Sequence, residues 1–308
     1  MTQTASYPPA ILDRARGALL GLAAGDALGT TLEFVERDSP PLHTEMLGGG
    51  PFDLAAGQWT DDSAMALALA DSLLNCQGLD PHDLATRFVR WWQQGEYSCT
   101  GTCFDIGITT QQALARFISS GEPYAGSTHP RTAGNGSLMR LAPVALFALH
   151  DAIQADQLAR DQSRVTHAAP QAIEACAFFV QILREAILGE PDVLRPRTWS
   201  GDSVVAAIAA GSWRQKTRDE IRSSGYVVHT LEAALWAVGT TSNFEDALIL
   251  AVNLGDDADT VGAVTGQLAG ALYGASAIPE RWLHLLAWHS GILATADRLL
   301  VDARRGSS

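Results

Sequence analysis

An all-α fold is predicted for this chain of 308 residues, arranged as one compact multi-helix bundle with helices crossing at steep angles. Three observations predict it. Apolar residues recur at helical spacing almost from end to end, and alternating strand-like runs are nearly absent. The breaks between periodic segments are short and carry Gly or Pro.

The first helix is expected over 11–26, with Leu12, Ala15, Ala18, Leu19 and Ala23 on one side and Gly25 and Gly29 as its interruption. The next spans 62–75. Another spans 81–94, with Asp80 before it and Pro81 at the first helical position, where proline is tolerated. Helices are expected again at 106–119, 137–150, 155–164, 170–188 and 204–210. The set closes with 229–238, 244–253, 261–273 and 283–300, the last introduced by Pro279-Glu280. The longest irregular stretches, 35–59 and 122–136, are neither low-complexity nor charge runs, so neither reads as an interdomain linker. One domain over 11–303 follows, with flexible ends at 1–10 and 304–308. A core of Ala, Leu and Val lets helices approach closely, and so many helices require layers rather than a four-helix bundle.

Composition excludes several classes of function. The formal charge of −13 argues against an extended nucleic-acid surface, which needs clustered cations. Lys216 is the only lysine, which disfavours Schiff-base chemistry. No run of eighteen apolar residues marks a membrane span, and the N-terminus lacks a secretory pattern. Cys76, Cys99, Cys103 and Cys176 are too irregular for a disulfide framework or a zinc site, so reduced thiols and a cytoplasmic location are expected.

Two acidic clusters carry the chemistry. Thr60-Asp61-Asp62 and Asp256-Asp257-Ala258-Asp259-Thr260 each open a long segment of small apolar residues, and so read as loops ending at helix N-termini. Helix capping explains either cluster alone, because Asp and Thr are good N-caps and acids suit the helix dipole. Three aspartates within four residues repel one another, however, and exceed what capping requires. Carboxylate and hydroxyl oxygens are the ligands that Mg²⁺, Mn²⁺ or Ca²⁺ take, and the spacing is not that of an EF-hand. Together the clusters favour a site for one or two divalent metals.

The remaining polar loops are less specific. Gly134-Asn135-Gly136-Ser137 could present backbone amides to an anion but has no Walker lysine. The loop 100–105, the Thr166-His167 pair and Tyr226 after Gly225 are equally compatible with turns and packing. Glu33, set between Leu32 and Phe34, needs a metal, an arginine or a hydrogen-bond network if buried. No nucleophile elbow is present.

Taken in order, these segments resemble the ADP-ribosylglycohydrolase family. The resemblance is carried by residues 16–29 with Glu33, by Gly57-Gln58-Trp59-Thr60-Asp61-Asp62, by residues 133–140, by Thr166-His167 and by residues 253–263. Residues 225–231 are similar to the bacterial dinitrogenase-reductase-activating branch. The resemblance implies an all-α fold whose two-metal centre, Mg²⁺ or Mn²⁺, binds ADP-ribose and cleaves its glycosidic link to protein. It implies Thr60, Asp61, Asp62, Asp257, Asp259 and Thr260 as metal ligands. Glu33, Asp61 and Asp62 become the candidate catalytic carboxylates. Asn135, Gly136 and Ser137 would line the ADP-ribose site, with His167 and Tyr226 around its ribose and adenine. The partners implied are an ADP-ribosylated protein and the product ADP-ribose.

Two departures stand out. Asp256 occupies a position where the family usually has glycine, and the segment 98–103 lacks an acid found near Ser98 in the nitrogenase-linked enzymes. The second makes nitrogenase reductase a poor target and leaves room for a dedicated role such as immunity against an ADP-ribosyltransferase toxin. The implied reaction is hydrolysis of the bond between the anomeric carbon and an arginine nitrogen, through an oxocarbenium-like transition state. A non-catalytic ADP-ribose binder, or a hydrolase of another ADP-ribosyl linkage, is the alternative.

Overall fold

The computed structural model describes residues 7–305. Among them the helices are α1 (Pro9–Gly29), α2 (Asp61–Cys76), α3 (Pro81–Gln94), α4 (Ile108–Ser120), α5 (Ala142–Phe147), α6 (Ala152–Thr166) and α7 (Pro170–Leu188). They continue with α8 (Ser203–Ala209), α9 (Val227–Thr240), α10 (Phe244–Val252), α11 (Ala258–Tyr273), α12 (Glu280–Leu285) and α13 (His289–Arg305). No strand is present among the described residues; pairing is limited to isolated bridges such as Gly134 with Tyr226. The chain is therefore all-α. No helix among the described residues is long and apolar enough to cross a membrane.

The centre of the molecule is the antiparallel pair α1 and α11, both buried along most of their length. Their contact is a ladder of glycines. A Cβ on Gly17, Gly21 or Gly25 would lie 2.3, 2.2 or 2.0 Å from the carbonyl oxygen of Gly270, Gly266 or Gly262 respectively. At Gly29 it would lie 2.3 Å from the Ala258 carbonyl oxygen. No side chain fits there, so four-residue spacing of glycine on both helices brings the two backbones into direct contact. Such an approach lets Cα–H groups face carbonyls across the interface. Antiparallel pairing sets the C-terminal half of α1, with Asp26, beside the N-terminus of α11, with Asp259 and Thr260. The ladder thus does positional work for the acidic residues.

Several expectations about elements need correction. Gly25 and Gly29 do not interrupt the first helix, which runs through both. The helix expected over 137–150 shrinks to α5. Upstream of it the carbonyl of Ser137 accepts from Gln162 Nε2, and those of Leu138 and Met139 accept from Gln267 Nε2. Side chains satisfy these acceptors, so the segment meets the hydrogen-bond requirement of buried backbone without helix. The expected 283–300 helix is two, parted at Trp288, whose φ is 57°. Residues 1–6 and 306–308 of the expected flexible ends lie outside the described residues, whereas Pro9 and Ala10 begin α1 and Arg304 and Arg305 end α13.

Candidate metal centre and substrate cleft

The two acidic clusters meet. Thr60 precedes α2 and Asp257 precedes α11, yet neither N-cap side chain accepts a capping hydrogen bond from a backbone amide of its own helix. Capping acids elsewhere in this chain do so: Asp80, Asp151 and Asp202 each take two backbone amides at the start of their helices. At α2 the capping is done from another helix. Asp26 of α1, wholly buried, accepts from Thr60 N (2.8 Å), Ser63 N (3.0 Å) and Ser63 Oγ (2.7 Å). That arrangement leaves Thr60, Asp61 and Asp62 free for another task.

Their surroundings indicate which. The Thr60 hydroxyl lies 3.0 Å from Asp26 Oδ1, 3.3 Å from Asp62 Oδ2 and 3.2 Å from Asp259 Oδ2. Its single proton can serve one of these acceptors at a time. Thr260 Oγ1 lies 3.4 Å from Asp62 Oδ2. Two groups of three carboxylates bring ligand atoms within 4.8 Å of one another, Asp26 with Asp62 and Asp259, and Glu33 with Asp257 and Asp259. Asp259 belongs to both. Glu33 Oε2 and Asp62 Oδ1 are buried without a hydrogen-bond partner, a costly condition for a carboxylate that a cation would remove.

Electrostatics agree with this geometry. Burial first and Asp259 second push Asp26 up to about 7 and Asp257 up to about 8, although Asn135 Nδ2 donates to Asp257 Oδ2 at 2.6 Å. Glu33 and Asp61 are raised for the same two reasons in the same order. Asp62 is raised by burial and then by Asp26. Acids this crowded hold their charge only beside a counter-charge. Hard oxygen donors, shared in two overlapping sets with orphaned oxygens, fit the binding of divalent metal.

The second set forms the floor of a cleft of about 660 Å³. Glu33, Asp61, Asp257, Asp259 and Thr260 line it, whereas Asp62 is sealed beneath. Opposite stand Asn135, Gly136 and His167. Asn135 is fixed by its amide, which donates to Gly225 O at 3.1 Å, and by its side chain, which donates to Thr230 Oγ1 at 2.9 Å as well as to Asp257. A Cβ on Gly136 would come within 2.7 Å of the His167 ring, so only glycine leaves that imidazole its place. Burial, then Arg140, lower His167 to about 3, so it is neutral at physiological pH.

Two expected substrate residues sit elsewhere. Ser137 is fully buried and faces inward, its oxygen accepting from Ser163 Oγ at 2.8 Å and Cys176 Sγ at 3.4 Å; it does not line the cleft. Tyr226 lies in an adjoining hollow that shares Thr109, Gly134 and Gly225 with the cleft. Its hydroxyl donates to Gln171 Oε1 at 2.5 Å.

Two acids were missed as site residues. Asp26 is the only charged residue in the run from Gly17 to Gly29, and that isolation was its signal. Asp105 lines the cleft, with burial and then Asp61 pushing it up to about 11. The loop that lacks an acid near Ser98 therefore supplies one seven residues later.

Comparison with known proteins agrees with the fold. The family model described as ADP-ribosylglycohydrolase matches residues 7–308. The chain is 49% identical over 294 residues to an ADP-ribosylarginine hydrolase Tri1 of Pseudomonas putida (strain GB-1), covering 95% of this chain and 79% of that one. It is 34% identical to an ADP-ribosyl-[dinitrogen reductase] glycohydrolase of Rhodospirillum rubrum, covering 90% of this chain and 92% of that one. A solved structure described as an ADP-ribosylglycohydrolase-related protein complex superposes with a TM-score of 0.85 at 40% identity, covering 96% of this chain and 100% of that one. On this fold, this centre and these likenesses, the chain belongs to the ADP-ribosylglycohydrolase family and is a hydrolase.

Proposed function

We propose that this protein removes ADP-ribose from arginine side chains of modified proteins, with two Mg²⁺ or Mn²⁺ ions as cofactors. The observation that carries the reading is the pair of carboxylate triads sharing Asp259 at a cleft floor. The printed names of the Pseudomonas putida and Serratia proteamaculans relatives, both ADP-ribosylarginine hydrolases, support arginine as the acceptor. Asp26, Asp62 and Asp259 with Thr60 would hold one ion, and Glu33, Asp257 and Asp259 with Thr260 the other. When bound, the ions supply positive charge that orients ribose hydroxyls and acidifies water in the cleft.

The reaction adds water across the N-glycosidic bond. The water oxygen joins the anomeric carbon, the carbon–nitrogen bond breaks, and the guanidinium nitrogen gains a proton. The chain's carboxylates stabilise the positive charge that develops on the sugar. Glu33, Asp61 and Asp105 face the same space and are raised by burial and by neighbouring acids, so the metal-free site keeps them protonated; the charge of bound cations would bring them down toward the range in which a carboxyl gives and takes a proton. Asn135 holds Asp257 in place, and neutral His167 offers a hydrogen bond without adding charge. We place the reaction in the cytoplasm because Cys76, Cys99, Cys103 and Cys176 are all unpaired thiols.

The test is to incubate the protein with arginine-ADP-ribosylated protein, with and without Mg²⁺, and weigh the released material by mass spectrometry. Intact ADP-ribose, released only with metal, is the predicted result. AMP would overturn the choice of bond, and binding of ADP-ribose without turnover would make the protein a reader rather than an eraser of the modification.

A further inference from the structure

His167 caps the C-terminus of α6 and is held on every side but one. Its amide donates to Ser163 O at 2.6 Å, and its carbonyl accepts from Ser163 Oγ at 2.7 Å. The ring rests against the turn at Gly134 and Gly136, where an added Cβ would lie 3.2 Å from Nε2 and 2.7 Å from Cε1 respectively. On its other edge Nδ1 lies 2.9 Å from Thr166 Oγ1. Nε2 has no hydrogen-bond partner among the described residues, although His167 is only 3% exposed and lines the cleft. A polar atom so buried, and left open only toward a cleft, points to a ligand.

The Thr166 hydroxyl decides which ring nitrogen carries the proton. Thr166 is wholly buried at the end of α6. A threonine in a helix ordinarily donates to the carbonyl four residues earlier. Here that carbonyl belongs to Gln162 and takes Arg140 Nη2 at 2.8 Å, while Arg140 Nε donates to Gln162 Oε1 at 2.8 Å. The hydroxyl is left with Nδ1 as its single partner among the described residues. A proton on Nδ1 would make Oγ1 the acceptor and leave the buried hydroxyl proton with none, a costly loss. The same count disfavours the imidazolium, and the charge of Arg140 opposes it as well. Protonation at Nε2 alone satisfies every atom.

We infer that Thr166 is a positioning residue of the hydrolase, fixing His167 as a neutral imidazole whose Nε2–H donates into the cleft to an acceptor oxygen of the ADP-ribosyl group. The inference rests on the hydrolase reading and deepens it, by naming the residue that sets the direction of the His167 hydrogen bond. Arg140 acts one step further back, occupying the carbonyl that would compete for the Thr166 hydroxyl. The opposite tautomer would turn a lone pair toward the substrate oxygen and repel it.

The test is ¹⁵N nuclear magnetic resonance of histidine-labelled protein at pH 7, with the His167 signals assigned by their loss in His167→Gln. Wild type is expected to show a pyridine-type Nδ1 and a pyrrole-type Nε2, and the Nε2 proton to move downfield when ADP-ribose binds. Thr166→Val keeps the shape of the side chain and removes the hydroxyl. It is expected to mix the two tautomers and to lower kcat/KM on ADP-ribosyl-arginine about tenfold. Thr166→Ser is expected to restore both the wild-type nitrogen shifts and most of the activity. A pyrrole-type Nδ1 in the wild type would overturn the inference, whatever the protein hydrolyses. So would unchanged shifts and activity in Thr166→Val, or a Thr166→Ser variant as impaired as the valine. A wild type that shows the expected tautomer yet neither binds ADP-ribose nor hydrolyses ADP-ribosyl-arginine would overturn the hydrolase reading, and the role of this donor with it.

Discussion

At Thr60 one hydroxyl proton faces carboxylate oxygens from three aspartates, at 3.0, 3.3 and 3.2 Å. No set of neutral hydrogen bonds satisfies that arrangement, which is why the acids read as ligands rather than caps. The sequence favours ligands over caps for the two clusters together, but leaves either cluster alone open to capping. Deciding required knowing that Asp26, from a distant helix, takes over the capping of α2. Ser137 shows the opposite error. Its place in a Gly-Asn-Gly-Ser turn suggested ligand contact, and only the packing of α6 and α7 reveals that its hydroxyl is consumed by Ser163 and Cys176. At Asp256 the departure from glycine is absorbed locally, since aspartate is among the residues that tolerate a φ of 60°. Asp259 is the residue on which the centre depends, being shared by both triads. Asp259→Ala is expected to lower kcat at least a thousandfold with an unchanged helical circular dichroism spectrum, an effect of about 4 kcal/mol or more on the barrier. Turnover within tenfold of wild type would remove Asp259 from the mechanism.

At the scale of elements, helical periodicity located nearly every helix, because amphipathic spacing is a local property. What it misread were points where tertiary contacts override local pattern. Glycines inside α1 looked like breaks, yet they are where α11 touches it. The same four-residue spacing on 262–274 was visible in the sequence, but the pairing of the two stripes was not. A methyl group at this contact has nowhere to go, since a Cβ on Gly21 would sit 2.2 Å from the Gly266 oxygen. Overpacking in a rigid core typically costs about 1–3 kcal/mol, and here the obstacle is backbone that cannot rotate away. Gly21→Ala is therefore expected to cost about 3 kcal/mol and to lower Tm by roughly 6 °C or more. Because Asp26 and Asp259 ride on these helices, its metal affinity is expected to fall too. Calorimetry with and without Mg²⁺ reads both, and a variant as stable as wild type would show that the helices can part freely.

For the whole molecule, the concentration of buried acid links stability to pH and to metal. Asp26 and Asp257 stand at about 7 and about 8 in the folded chain, above their ordinary value of 3.8. The metal-free folded state therefore binds more protons than the unfolded state between about pH 4 and 8, and stability falls as pH rises through that window. His167, lowered to about 3 from 6.5, acts oppositely, its contribution being lost as pH falls below about 6.5. The acids outnumber it. Metal-free protein is expected to melt at a lower temperature at pH 8 than at pH 6, and saturating Mg²⁺ or Mn²⁺ to raise Tm more at pH 8. A ligand at a hundred times its Kd stabilises by about 2.7 kcal/mol, enough to read. Identical melting at both pH values, with no effect of metal, would mean that the carboxylates are not charged against one another in the fold.

The most direct measurement is the number of Mn²⁺ ions bound per chain, by equilibrium dialysis with spin-echo or continuous-wave electron paramagnetic resonance, in the wild type and in Asp259→Ala. Two triads sharing one carboxylate predict two ions, magnetically coupled, in the wild type and a loss of that coupled pair in the variant. A wild type that hydrolyses ADP-ribosyl-arginine at full rate while binding no divalent ion would contradict the account at its centre.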